Sequence, residues 1–178
     1  MNKALFLDRD GIINVDHGYV YQSENFEFVE GIFELCQQAQ VKGYKLIIIT
    51  NQSGIGRGKY SIAQFEQLTQ WMKQQFLLHN VIIDDVYYCP HHPTKALKEY
   101  LVECNCRKPQ PGMIIEAATQ HQIDVKQSIF IGDKVSDMQA AEAAGIDNRV
   151  LVASEYQDHQ QIKAHRVDNI RQICSFIS

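Results

Sequence analysis

Short runs of strand-forming aliphatic residues recur along the chain with room for a helix between most of them, and this alternation restricts the fold more than any other feature. The runs cover 4–7, 46–49, 86–88, 129–131 and 150–152, with helix-like amphipathic stretches at 30–41, 62–78, 113–121 and 137–144 and a last one ending near Phe176. Parallel strands need crossover connections, and helices that cross over cover both faces of the sheet. The expected fold is therefore an α/β three-layer sandwich around a mainly parallel sheet. At 178 residues the chain has the length of one domain, read as spanning 1–178, with one irregular insertion at about 89–111. That insertion is short, so no large cap domain is expected and the pocket should be open.

Composition closes off other classes. The balance of 17 basic and 21 acidic residues gives a net charge of −4, which provides no general field for nucleic acid. No apolar run approaches the length of a membrane span, and Asp8-Arg9-Asp10 interrupts the N-terminus before a signal-peptide core develops. A cytoplasmic monomer acting on a small molecule, without nucleic-acid or membrane partners, is the expectation.

In open parallel sheets ligands bind beyond the carboxyl ends of the strands. Three strand ends carry suitable side chains. The first run leads into Asp8-Arg9-Asp10-Gly11, whose two carboxylates turn to the same side in extended geometry, although Asp-Gly is also an ordinary turn. The second leads into Thr50-Asn51-Gln52-Ser53-Gly54-Ile55-Gly56-Arg57-Gly58, in which hydroxyl and amide donors precede glycines that let backbone amides approach a phosphate; a plain connecting loop is the alternative. The third leads into Gly132-Asp133-Lys134-Val135-Ser136-Asp137, where Ser136 and Asp137 also suit a helix cap. Convergence of these ends would bring Asp8, Asp10 and Asp133 together with Thr50, Lys108 and Lys134. Clustered carboxylates repel one another, and Mg2+ relieves that repulsion while accepting oxygen ligands.

The order Asp8-x-Asp10, Thr50, Lys108 and Gly132-Asp133-x-x-x-Asp137 resembles the four motifs of the haloacid dehalogenase (HAD) superfamily of phosphatases. The resemblance implies that Asp8 is the nucleophile, that Asp10 is the acid and base, and that Thr50 and Lys108 bind the transferring phosphoryl group. It further implies that Mg2+ is held by Asp8, the Asp10 backbone carbonyl and Asp133, with Asp137 supporting the ligands. On this reading Lys108→Ala lowers turnover more than folding stability. Ile12 stands where the superfamily often has Thr, at a position that is neither nucleophile nor ligand. Two subgroups share these motifs with a Cys/His loop, one acting on a sugar bisphosphate and one on histidinol phosphate. The stretch Val15-Asp16-His17-Gly18-Tyr19 and the continuation Gly56-Arg57-Gly58-Lys59 favour the sugar bisphosphate. Asp16, His17, Gly18, Tyr19, Asn51, Gln52 and Ser53 resemble substrate-contacting positions, and Arg107, with Arg57 and Lys134, suits a second phosphate.

Five cysteines, an odd number in a reducing setting, argue against a disulfide framework. Cys89, His91, Cys104 and Cys106 match the donor set of tetrahedral zinc, with His92 as an alternative to His91 and reduced surface thiols as the competing reading. The family resemblance places structural zinc here. Cys36 and Cys174 sit on apolar stripes and read as core thiols, Trp71 and Met72 as packing residues, while His79, His121, His159 and His165 show no partner in the sequence. A catalytically silent zinc-dependent interaction module is the reading from a different class, and the intact acidic set argues against it.

Overall fold

A computed structural model describes residues 1–156 and 161–178. Its elements are β1 (Lys3–Leu7), α1 (Ile32–Val41), β2 (Tyr44–Asn51), α2 (Ser53–Gly56), α3 (Ile62–Leu78), β3 (Asp85–Cys89), α4 (Gly112–Gln120), β4 (Ile129–Gly132), α5 (Val135–Ala143), β5 (Asn148–Val152) and β6 (His165–Val167). All strand pairs are parallel, in the order β3-β2-β1-β4-β5-β6.

The period-two alternation of strand side chains builds two cores. Leu5, Leu7, Leu46, Ile48, Ile129 and Ile131 face Leu35 and Cys36 of α1, Met72 and Phe76 of α3, and Ile170 and Ile173. Ala4, Phe6, Ile47, Ile49 and Phe130 face Met113 and Ala117 of α4 and Met138 and Ala141 of α5. The chain moves outward from β1 through β2 to β3, then returns to the other side of β1 for β4. That reversal opens a crevice at the carboxyl ends of β1 and β4, the expected place for a ligand.

The C-terminus differs from its expected helix. An edge strand, His165–Val167, precedes a 3-10 helix at Ile170–Phe176. Three residues, two of them exposed, carry too little periodicity to announce a strand. The glycine-rich stretch likewise is no open loop, since 53–56 closes into the single turn of α2. Trp71 packs on Phe26 and Phe28, Cys36 is buried, and Cys174 is half-buried beside the first core. His79 stacks on Phe33 and His121 pairs with Asp85 at 2.8 Å, contacts formed between distant segments. His165 packs against Phe176, while His159 lies outside the described residues. Among the described residues no helix is long and apolar enough to cross a membrane.

Candidate active site

Asp8 follows the last residue of β1, and its amide continues the ladder to Ile131 of β4 at 3.1 Å. Its Oδ1 accepts from the Arg9 amide and from Lys108 Nζ, both at 2.9 Å. The Lys108 ammonium is buried and also donates to the Ile49 carbonyl at 2.8 Å and pairs with Asp137 Oδ1 at 2.7 Å. Asp137 Oδ2 accepts the amides of Asp133 and Lys134, each at 3.1 Å, so the residue caps α5 and holds the lysine at once. Gly11, at φ +96°, lets the chain turn where an added Cβ would lie 2.2 Å from Asp133 Oδ2.

Carboxylate oxygens of Asp8, Asp133 and Asp137 lie within 4.8 Å of one another. Burial, then the charge of Asp137, raises the Asp8 carboxyl to about 6 against the pull of Lys108 and Lys134. Burial, then Asp8 and Asp137, raises Asp133 to about 8. Asp133 Oδ1 is buried without a hydrogen-bond partner. A hard cation satisfies that oxygen and relieves the repulsion, so the donor set fits Mg2+. Both oxygens of Asp137 are already engaged.

Asp10 is held in the opposite state. Burial alone would raise its carboxyl, but the Arg9 guanidinium, with donors from Asn14 and Gln52, holds it below the ordinary range. Its Oδ1 accepts from Arg9 at 2.8 Å and Asn14 at 3.0 Å, and its Oδ2 from Gln52 Nε2 at 3.0 Å. The Asp10 side chain therefore stands apart from the three clustered carboxylates.

Beyond β2, Gln52 Nε2 also donates to Thr50 Oγ1 at 2.9 Å. Asn51 uses its whole amide on Lys108, donating to its carbonyl at 3.1 Å and accepting from its amide at 3.0 Å. Gly54 makes room for a ring rather than a phosphate, because a Cβ there would lie 2.3 Å from Tyr60 Cε1.

A cleft of about 360 Å3 brings together Asp16, Gly18, Tyr19, Asn51, Gln52, Ser53, Arg57 and Lys134 with Asp10. His17 does not line it, being exposed and bound to Glu27 at 2.9 Å. Arg107 does not line the cleft either; its guanidinium donates to the His91 carbonyl at 3.3 Å. Burial, together with nearby Arg57, lowers its pKa, so two guanidinium groups share one corner. Arg9, Tyr60 and Tyr156 line the cleft without a signal in the sequence. Tyr156 donates to Asp16 at 3.1 Å, a contact across 140 residues that no local pattern announces.

The insertion between β3 and α4 folds back so that Cys89, His91, Cys104 and Cys106 place their donor atoms within 4.8 Å of one another. His91 Nδ1 lies 3.4 Å from Cys106 Sγ and 3.6 Å from Cys89 Sγ. His92 is not part of this group, and its Nδ1 instead accepts the amides of Thr94 and Lys95. Burial would raise the Cys104 thiol, but the Arg107 amide and neighbouring donors lower it to about 7. Three soft donors and one imidazole form a candidate metal centre.

This parallel sheet, with an aspartate after β1, a threonine at the end of β2, a lysine from the insertion and an acidic pair after β4, defines a HAD-like hydrolase. A family model described as "HAD-hyrolase-like" matches residues 105–173. The D-glycero-beta-D-manno-heptose-1,7-bisphosphate 7-phosphatase of Vibrio cholerae serotype O1 is 52% identical over 84% of this chain and 80% of its own length. That of Escherichia coli K12 is 50% identical over 84% and 78%. Among solved structures, a HAD-like phosphatase from Mesorhizobium loti superposes with a TM-score of 0.86 at 30% identity, covering 99% of this chain and 84% of that one. The D,D-heptose 1,7-bisphosphate phosphatase of B. bronchiseptica, complexed with magnesium and phosphate, gives 0.84 at 25% identity, covering 98% and 97%. The chain belongs to the family of these heptose bisphosphate phosphatases.

Proposed function

We propose that the chain removes the C7 phosphate of D-glycero-D-manno-heptose 1,7-bisphosphate, releasing the heptose 1-phosphate through an aspartyl phosphate on Asp8. The observation that carries this reading is the placement of Asp8 against Lys108 inside a chain half identical to curated phosphatases of that substrate. The Asp8 oxygen not engaged by Lys108 attacks phosphorus, and Lys108 offsets charge on the transferring group. Thr50 offers its hydroxyl proton to a phosphoryl oxygen. Asp10 is held ionised in the free protein. The dianionic phosphate raises its affinity for a proton, which it passes to the departing sugar oxygen before taking one from the hydrolytic water.

Asp8, the Asp10 backbone carbonyl and Asp133 would hold Mg2+, which supplies neutralisation of the phosphoryl charge. Asp16, Gly18, Tyr19 and Ser53 line the sugar side of the cleft, and the Arg57 and Arg107 corner suits the second phosphate. This role belongs to cytoplasmic synthesis of ADP-heptose for lipopolysaccharide core. Comparing phosphate release from the heptose bisphosphate and histidinol phosphate tests the substrate: the bisphosphate should be turned over with the higher kcat/KM, and a preference for histidinol phosphate would refute the reading.

Cys89, His91, Cys104 and Cys106 would hold structural zinc, with no position left open for substrate. Its effect on activity runs through Arg107, whose amide lies 3.4 Å from Cys104 Sγ and whose guanidinium reaches the His91 carbonyl. Stripping zinc and then restoring Mg2+ should speed amide exchange across 91–107 and lower kcat/KM by about 10- to 100-fold. Unchanged exchange and activity would disprove that coupling.

A further inference from the structure

We propose that Tyr60 is a positioning residue for this reaction: its hydroxyl fixes the Gln52 side-chain amide so that the amide nitrogen faces both Asp10 and Thr50. The inference rests on the reading above, in which Asp10 exchanges a proton with the departing oxygen.

A glutamine amide has one accepting and one donating end, of nearly equal shape. The buried Tyr60 hydroxyl donates to Gln52 Oε1, and the nitrogen end donates to Asp10 Oδ2 at 3.0 Å and Thr50 Oγ1 at 2.9 Å. Gln52 is itself buried, and its backbone amide is tied to the Cys89 carbonyl at 2.8 Å, so only the side chain is left to orient. Among the described contacts Gln52 is the donor to Asp10 Oδ2, while Arg9 and Asn14 serve Oδ1. Thr50 Oγ1 accepts from Gln52, which leaves its proton to donate; in the free protein it reaches the Asn51 carbonyl at 3.4 Å, a long contact that a phosphoryl oxygen would replace.

Tyr60 is well fixed for this task. Its ring stacks on Tyr21 at 5.3 Å and fills the space that Gly54 leaves open. Burial keeps its hydroxyl protonated, so it donates rather than carries charge. Without that donor, Gln52 Oε1 is buried unpaired, and the amide turns to find a partner at the expense of Asp10 and Thr50.

Tyr60→Phe keeps the ring and removes only the donor. With the sugar phosphate, whose alkoxide leaving group needs a proton, kcat should fall about 10- to 100-fold, with KM changing far less. With an aryl phosphate, whose leaving group departs unprotonated, the loss should be several-fold smaller. Gln52→Leu should lower kcat at least as much, and adding Tyr60→Phe to it should cost nothing more. Tyr60→Phe activity within about twofold of the parent, equal losses on both substrates, or losses that multiply in the double variant would each overturn the proposal. A parent protein inactive on the heptose but active on another alkyl phosphate would refute the substrate reading alone, and the cycle then runs on that phosphate. Inactivity on every alkyl phosphate would overturn both.

Discussion

Asp8→Asn should abolish phosphate release, by on the order of 10^4-fold or more, while leaving the protein folded and at least as stable. The amide oxygen can still accept from the Arg9 amide and Lys108, so local geometry survives. What disappears is the nucleophilic charge. That charge is costly to the free protein, since burial and Asp137 already raise the Asp8 carboxyl to about 6. A neutral amide removes the repulsion within the cluster, so the melting temperature without Mg2+ should hold or rise, and the stabilisation gained on adding Mg2+ should shrink. Phosphate release, thermal unfolding with and without Mg2+, and capture of beryllofluoride test the three parts. Retained turnover, or an adduct on a residue other than Asp8 in the parent protein, would remove the foundation of the mechanism.

Asp8, Thr50 and Asp133 are legible in the sequence for one physical reason: each stands at the end of a buried strand, where a polar side chain interrupts an aliphatic run. The Cys/His set is legible because soft donors are few and their spacing is local. Residues whose role depends on a distant approach are not. Tyr60 looks like any residue before a helix cap until Gly54 is seen to admit its ring. Arg9 reads as a spacer between aspartates until its guanidinium is found on Asp10. Asn51 shows an amide suited to substrate, but the fold spends both its ends on the Lys108 backbone. The same limit hides β6, which exists because β5 leaves an edge to pair.

Lys108→Met should cost folding stability as well as turnover, a stability cost that adds to the expectation from sequence that losing this side chain lowers turnover more than stability. The ammonium is buried between Asp8 and Asp137, and burial would lower its pKa were those two carboxylates not holding it above the ordinary range. Methionine keeps the packing of the stem but leaves both carboxylates uncompensated, a loss of about 3–5 kcal/mol for a buried pair broken from one side. The deficit should depend on pH with a defined sign. Asp8 already titrates in the folded protein at about 6, above the unfolded value near 3.8, and removing Lys108 moves it higher. A carboxyl raised by folding contributes stability below its unfolded value and loses it as pH rises through the folded one. The part of the deficit owed to Asp8 should therefore fade near pH 5 and be complete near pH 8, while turnover stays low throughout. Chemical denaturation across that range, with Mg2+ absent, separates the causes: a deficit constant with pH would mean lost packing, and one that grows with pH would mean that this lysine is the counter-charge on which both the fold and the nucleophile depend.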